Sequence, residues 1–202
     1  KLAEGVKLLM AQVREKPADA DLRYFLFLLF QFSGEFERAA KQLKVAKDLD
    51  QKKYLMLANV ALLTCTLDAE RRSVFEGKCS PLFMGEPFKW MIELIQAFKA
   101  EAEGNIEAAE QLRQQAFAQA ETVAGTVNGE EFEWLADLDP RLGPLLEAYV
   151  EGKYYWVPFQ YINTIEAAAP SHLSDSLWYP VNFTWMNGGT ASGYLPALYP
   201  LS

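Results

Sequence analysis

An α+β fold, with tetratricopeptide-like helical hairpins followed by a small β-rich α+β module, follows from three features of the sequence. Apolar residues recur at helical spacing through the first 125 residues. Two glycine-centred helical pairs, at Gly34 and Gly104, are separated by twice the period of a tetratricopeptide-like repeat. From about Val123 the texture changes, as glycine, proline, acidic residues and strand formers become denser. Together these divide the chain into a helical repeat region, residues 1–125, and an acidic, aromatic-rich module, residues 126–202.

The first helix is predicted over Lys1 to Arg14, where Leu2, Val6, Leu9, Met10 and Val13 line one face. Pro17, Asp19 and Asp21 stop it and start the next, since proline and aspartate favour first turns. Leu22 to Phe32 is apolar on nearly every side, and such a helix must be covered all round. Gly34 ends it and Phe36 to Leu49 returns, forming an αα-hairpin. Lys52 to Glu76 reads as one long helix or a degenerate hairpin, followed by a loop from Cys79 to Pro87. Phe88 to Glu103, Gly104-Asn105 and Ile106 to Ala120 repeat the helix–turn–helix order. Ala39 and Ala109 each follow their glycine by five residues and are small enough for close helix approach.

In the second region, Phe132-Glu133-Trp134 and Lys153 to Phe159 are predicted as strands and Leu142 to Val150 as a short helix. Trp178 to Trp185 and Thr190 to Leu198 flank Asn187-Gly188-Gly189, the signature of a β-hairpin. The strand Tyr154-Tyr155-Trp156-Val157 is apolar on both faces. Either it is covered twice or it is a contact surface, and core packing is the plainer reading.

Composition narrows the function. Half of the residues are hydrophobic, enough to build packed cores and too many for a disordered chain. The net charge of −8 is concentrated in the second region, where Arg141 and Lys153 face nine acids. Such a module repels phosphate, so neither nucleic acid nor an anionic membrane is expected as a partner. No apolar run is long enough to span a bilayer, and the first ten residues do not read as a signal peptide. Cys65 and Cys79 lack disulfide-framework or zinc-site spacing, which points to reduced thiols in the cytoplasm.

Catalytic signatures are weak. The single histidine, His172, lies between Ser171 and Ser174 near Asp175, too close in sequence to converge as a triad, and reads as a loop or capping residue. Glu131, Glu133, Asp137 and Asp139 offer the alternative of a hydrolase, which needs two facing carboxyls. A solvated acidic strand face explains the same pattern. A third possibility is a structural subunit that self-associates through the aromatic strand. No cofactor-binding or metal-binding motif is present in the sequence.

The stretch from Gly129 to Gly143 (GEEFEWLADLDPRLG), then Pro144 to Glu147 and Gly152 to Phe159 (GKYYWVPF), resembles the ImpE/TagJ family. Arg14 to Ala20, Gly34 to Leu43, Phe83 to Pro87 and Leu198 to Pro200 extend the likeness over nearly the whole chain. Its motif residues here are Phe132, Trp134, Asp137, Asp139, Arg141, Trp156, Val157, Pro158 and Phe159. The resemblance implies a non-enzymatic, cytoplasmic, bacterial accessory protein of type VI secretion. It implies a protein partner, the N-terminal segment of the small sheath subunit, and a modulating role in sheath recycling. No cofactor or small-molecule substrate is expected. Repeat geometry suggests Tyr24, Leu28 and Gln31 as inner-face contacts, and the aromatic strand adds Tyr155, Trp156 and Phe159 as candidates. Arg141, nearly alone in acidic surroundings, is expected in a structural ion pair.

Overall fold

The computed structural model describes residues 1–167 and 169–199, with the side chains of residues 56–62 and 64 left aside. Compactness divides the chain into two units, Lys1–Asp68 and Ala69–Ser202. The change of texture at residues 125/126 falls inside the second unit, a few residues after its last helix ends at Gln119.

In the first unit, α1 (Leu2–Glu15), α2 (Ala20–Phe32) and α3 (Phe36–Leu49) precede α4 (Gln51–Phe75), whose early turns close the unit. Asp19 caps α2, its Oδ1 accepting from the Asp21 and Leu22 amides. Gly34 ends α2 with φ of 71°, and the Glu35 amide reaches back 2.8 Å to the Phe30 carbonyl, closing a Schellman turn. Ala39, fully buried, lets α3 approach α2 closely. Val6, Leu9, Leu26, Phe27, Phe30 and Leu43 form the core between the helices.

The second unit contains the other hairpin, α5 (Lys89–Ala102) and α6 (Ile106–Gln119). Gly104 has φ of 81°, and the Asn105 amide reaches the Ala100 carbonyl at 2.8 Å. The two glycines thus make the same cap, the local cause of the repeat-like spacing. The long stretch after α3 is one helix, not a hairpin.

A six-stranded sheet follows, in the order β1-β5-β4-β8-β7-β6: β1 (Leu82–Phe83), β4 (Leu145–Val150), β5 (Lys153–Pro158), β6 (Ile162–Ala167), β7 (Trp178–Trp185) and β8 (Thr190–Pro196). β1 lies in the segment expected to be loop and pairs parallel to β5. The predicted hairpin is present as β7–β8.

The helix predicted over Leu142 to Val150 is instead strand β4. A central strand buried on both faces carries a continuous apolar run, and periodicity cannot separate that from a buried helix. The tight turn that follows decides it. Glu151 and Gly152 both have positive φ, at 50° and 75°, as a two-residue hairpin loop requires. A separate small hairpin, β2 (Gly125–Val127) and β3 (Glu130–Phe132), turns at Asn128-Gly129, again with both φ positive. It ends the expected Phe132–Trp134 strand early, leaving Trp134 in the loop beyond.

Candidate functional site

The strand β5 sits between two cores. In register with β4, it pairs Glu147 with Trp156 and Tyr149 with Tyr154, so these four side chains share one face. On that face the Trp156 ring meets Phe98 at 5.1 Å and Phe83 at 6.4 Å, while Phe98 meets Phe75 edge-on. Val157 and Ala148 belong to the opposite face, where they share a core cluster with Val181 and Phe183 of the same sheet.

Within the first core lies a charged chain of contacts. Arg71, from the end of α4, grips Glu147 bidentately, Nε to Oε1 at 2.7 Å and Nη2 to Oε2 at 2.6 Å. Both side chains are only 3% exposed. The Tyr154 hydroxyl donates to Glu147 Oε1 at 2.5 Å, and the Trp156 indole N–H donates to Tyr154 at 2.7 Å. Burial pushes the Glu147 carboxyl above its ordinary range, and Arg71 and Tyr154 pull against that rise. All of its partners are structural. The arrangement binds the helical layer to the sheet and offers nothing to a substrate.

The other conspicuous element is the loop joining β3 to β4. Asp137 and Asp139 are turned inward and spent on holding its shape. Asp137 accepts from the Asp139 amide at 2.8 Å and from the Tyr199 hydroxyl at 2.5 Å. The Asp137 amide donates to the Gly143 carbonyl at 2.7 Å. Asp139 receives the Arg141 amide and its guanidinium fork, the shortest contact being 2.6 Å, while that guanidinium lies 4.6 Å above the Phe75 ring. Arg141 is therefore in the structural ion pair expected of it. Gly143, at φ of 56°, lies so close to Phe117 that a Cβ there would sit 2.5 Å from the ring.

With the aspartates drawn inward, the residues between and before them face water. Leu138 is 89% exposed and Trp134 68%, with Val127 and Leu135 also exposed. Glu130, Glu131 and Glu133 stand beside them, exposed and outside any ion pair among the described residues. The outcome is a loop, closed by hydrogen bonds from Asp137 to Gly143, that presents large apolar side chains framed by negative charge.

Desolvation raises the Asp139 carboxyl, but its hydrogen bonds from Arg141 outweigh that and hold it below the ordinary value of 3.8. The folded value lies below the unfolded one, so the stability it contributes is present above 3.8 and lost as pH falls through the folded value. Asp139→Asn should therefore lower stability at about pH 7, and the gap to the parent should shrink toward about pH 3. Urea unfolding at both pH values checks this; a gap independent of pH would contradict it.

The four carboxylates of the hydrolase alternative do not converge. Glu131 and Glu133 point to solvent, whereas Asp137 and Asp139 are engaged within the loop. Asp175 accepts from the amides of Ser171 and His172, holding the turn rather than orienting an imidazole. Among the described residues no group of His, Cys, Asp and Glu could hold a metal ion, and no helix is long and apolar enough to cross a membrane. Cys65 and Cys79 are free, and burial raises the Cys65 thiol to about 11.

The expected inner face of α2 is not open. Leu28 is 6% exposed and packs into the helical core, and Gln31, 2% exposed, donates to Cys65 Sγ at 3.7 Å. Tyr24 packs at a tilt against Tyr54, ring centroids 5.0 Å apart, and Tyr54 in turn donates to Asp21. α4 covers the surface that a repeat groove would leave free. Trp156, Val157, Pro158 and Phe159 are buried and Tyr155 half-buried, so this part of the motif serves folding. Phe132 packs on Gly125 within the small hairpin.

The chain is 42% identical over 201 residues to the type VI secretion system accessory component TagJ of Pseudomonas aeruginosa, covering 98% of this chain and 70% of that protein. The chain belongs to the ImpE/TagJ family. The family model described as ImpE protein matches residues 129–202. The crystal structure of protein VPA1032 from Vibrio parahaemolyticus superposes with a TM-score of 0.89 at 27% identity, over 96% of this chain and 73% of that one. In this ImpE/TagJ chain, sequence reasoning missed Arg71 and Glu147. The available signal was Glu147 itself, a lone charge inside an apolar run, which demands a buried partner. It also missed Leu138, which an alternating Asp-Leu-Asp pattern turns outward once both aspartates bind inward.

Proposed function

We propose that this chain is a non-enzymatic, cytoplasmic accessory component of a type VI secretion apparatus that binds the N-terminal segment of the small sheath subunit and so modulates sheath recycling. The 42% identity to TagJ across nearly the whole chain carries this reading. Its geometry is compatible: the buried charged groups are spent on structure, and the β3–β4 loop offers apolar side chains to a protein partner. Neither cofactor nor small-molecule substrate is required for such a role, and the acidic second module disfavours nucleic acid and membrane.

Calorimetric titration with a peptide spanning the N-terminal segment of the small sheath subunit should give saturable one-to-one binding, with affinity on the order of micromolar. Absence of heat at several temperatures, with the protein folded, would remove the sheath partner from the reading. A self-associating structural subunit is separated by solution mass, since it would not fall to 22.8 kDa on dilution.

A further inference from the structure

Exposed apolar surface on a soluble protein carries most meaning where the backbone beneath it is fixed. A flexible tip must be ordered on binding, whereas a pre-shaped loop avoids that cost. Within the β3–β4 loop the segment from Asp137 to Gly143 meets this condition, and Trp134 lies just before it. Its turn is closed by the Asp137 amide on the Gly143 carbonyl, by Asp139 on the Arg141 amide, and by Tyr199 on Asp137. Yet Leu138 and Trp134 are among the most exposed large apolar side chains described. Folding does not explain their positions, because neither belongs to a core.

From this we infer that the β3–β4 loop is a docking surface for a short basic segment carrying large apolar side chains, and that Trp134 and Leu138 are its anchors. The charge selects the occupant. Glu130, Glu131 and Glu133 flank the anchors without ion-pair partners among the described residues. Arg141, one of only two basic residues in the module, is turned away onto Asp139 and Phe75. An arginine or lysine arriving here meets unpaired carboxylates, and its cation can lie over the exposed Trp134 ring. Apolar side chains of the same segment cover Leu138. Tryptophan at the centre of an interface, rimmed by charges that steer the encounter, is the arrangement in which few residues dominate the affinity. The same glutamates repel nucleic acid and anionic lipid, which leaves a protein segment as the occupant.

This inference rests on the sheath-binding reading above, and the probe is the same peptide of the small sheath subunit. Trp134→Ala/Leu138→Ala should weaken its binding at least tenfold with an unchanged thermal midpoint. Glu130→Gln/Glu131→Gln/Glu133→Gln should slow association and flatten its dependence on salt. A peptide with its lysines and arginines replaced by glutamine should lose binding to the parent protein.

Parent and double variant binding equally would overturn the docking surface while leaving the sheath partner intact. The glutamine-substituted peptide binding as well as the original would overturn the assignment of a basic segment. Failure of the parent protein to bind would remove the sheath reading and this inference with it. A parent dimer that the double variant converts to a 22.8 kDa species would show a second copy on the loop, and would overturn it as well.

Discussion

Arg71→Met should destabilise the sheet-bearing unit by about 3–5 kcal/mol, because it leaves the Glu147 carboxylate buried without its cation. The pair is sealed, at 3% exposure on each side, and water cannot replace the guanidinium. Glu147 can escape only by taking a proton, and burial already raises its pKa. A carboxyl whose folded value is raised binds a proton where the unfolded chain does not, so it loses stability as pH climbs from the unfolded toward the folded value. Loss of Arg71 lifts the folded value further. The deficit of Arg71→Met should therefore be smaller at about pH 5 than at about pH 8, the same direction as for Asp139→Asn but in a higher pH window. Urea unfolding at the two pH values measures it. Arg71→Met/Glu147→Gln should recover much of the loss, since the amide keeps an acceptor for Tyr154 and removes the stranded charge. A single variant as stable as the parent at both pH values would show that the pair contributes little.

Local chemistry explains what was legible in the sequence. The hairpins are written in glycines at helix ends and alanines five residues on, and both glycines adopt the positive φ that makes them caps. The β7–β8 hairpin is written in Asn187-Gly188 and the strand formers beside it. Strand β4 was misread because burial on both faces erases the alternation that marks a strand, leaving only the Glu151-Gly152 turn as a signal. The Arg71–Glu147 contact joins residues 76 apart, and no local pattern specifies which arginine answers a lone buried glutamate. The inner face of α2 failed for a related reason. Repeat geometry describes a hairpin, whereas Tyr54 and Cys65 come from a helix outside that unit and cover the face. The candidate site was half legible. Trp134 and the acids around it stood out in composition, while the exposure of Leu138 depends on where two aspartates find their hydrogen bonds.

Trp156→Ala should also cost about 3–5 kcal/mol, through the cavity left by a fully buried indole. The ring is held by Phe98 and Phe83, and its N–H donates to Tyr154, the hydroxyl that in turn donates to Glu147. Truncation thus removes packing and one link of the charged chain together. Trp156→Phe should lose less, because it keeps most of the ring contact and forfeits about 1 kcal/mol for the hydrogen bond. Trp134→Ala, by contrast, should leave the unfolding free energy within about 0.5 kcal/mol of the parent, as surface substitutions do. Urea titrations of the three variants, paired with peptide calorimetry on the folded fraction, separate the two roles. Trp156→Ala should bind normally per folded molecule and Trp134→Ala poorly. The reverse result, a stable Trp156→Ala that has lost the peptide, would move the contact surface back to the aromatic strand. The sequence places these two tryptophans in one family-like stretch. Their burial assigns one to holding the sheet against its helices and the other to the solvent-facing loop.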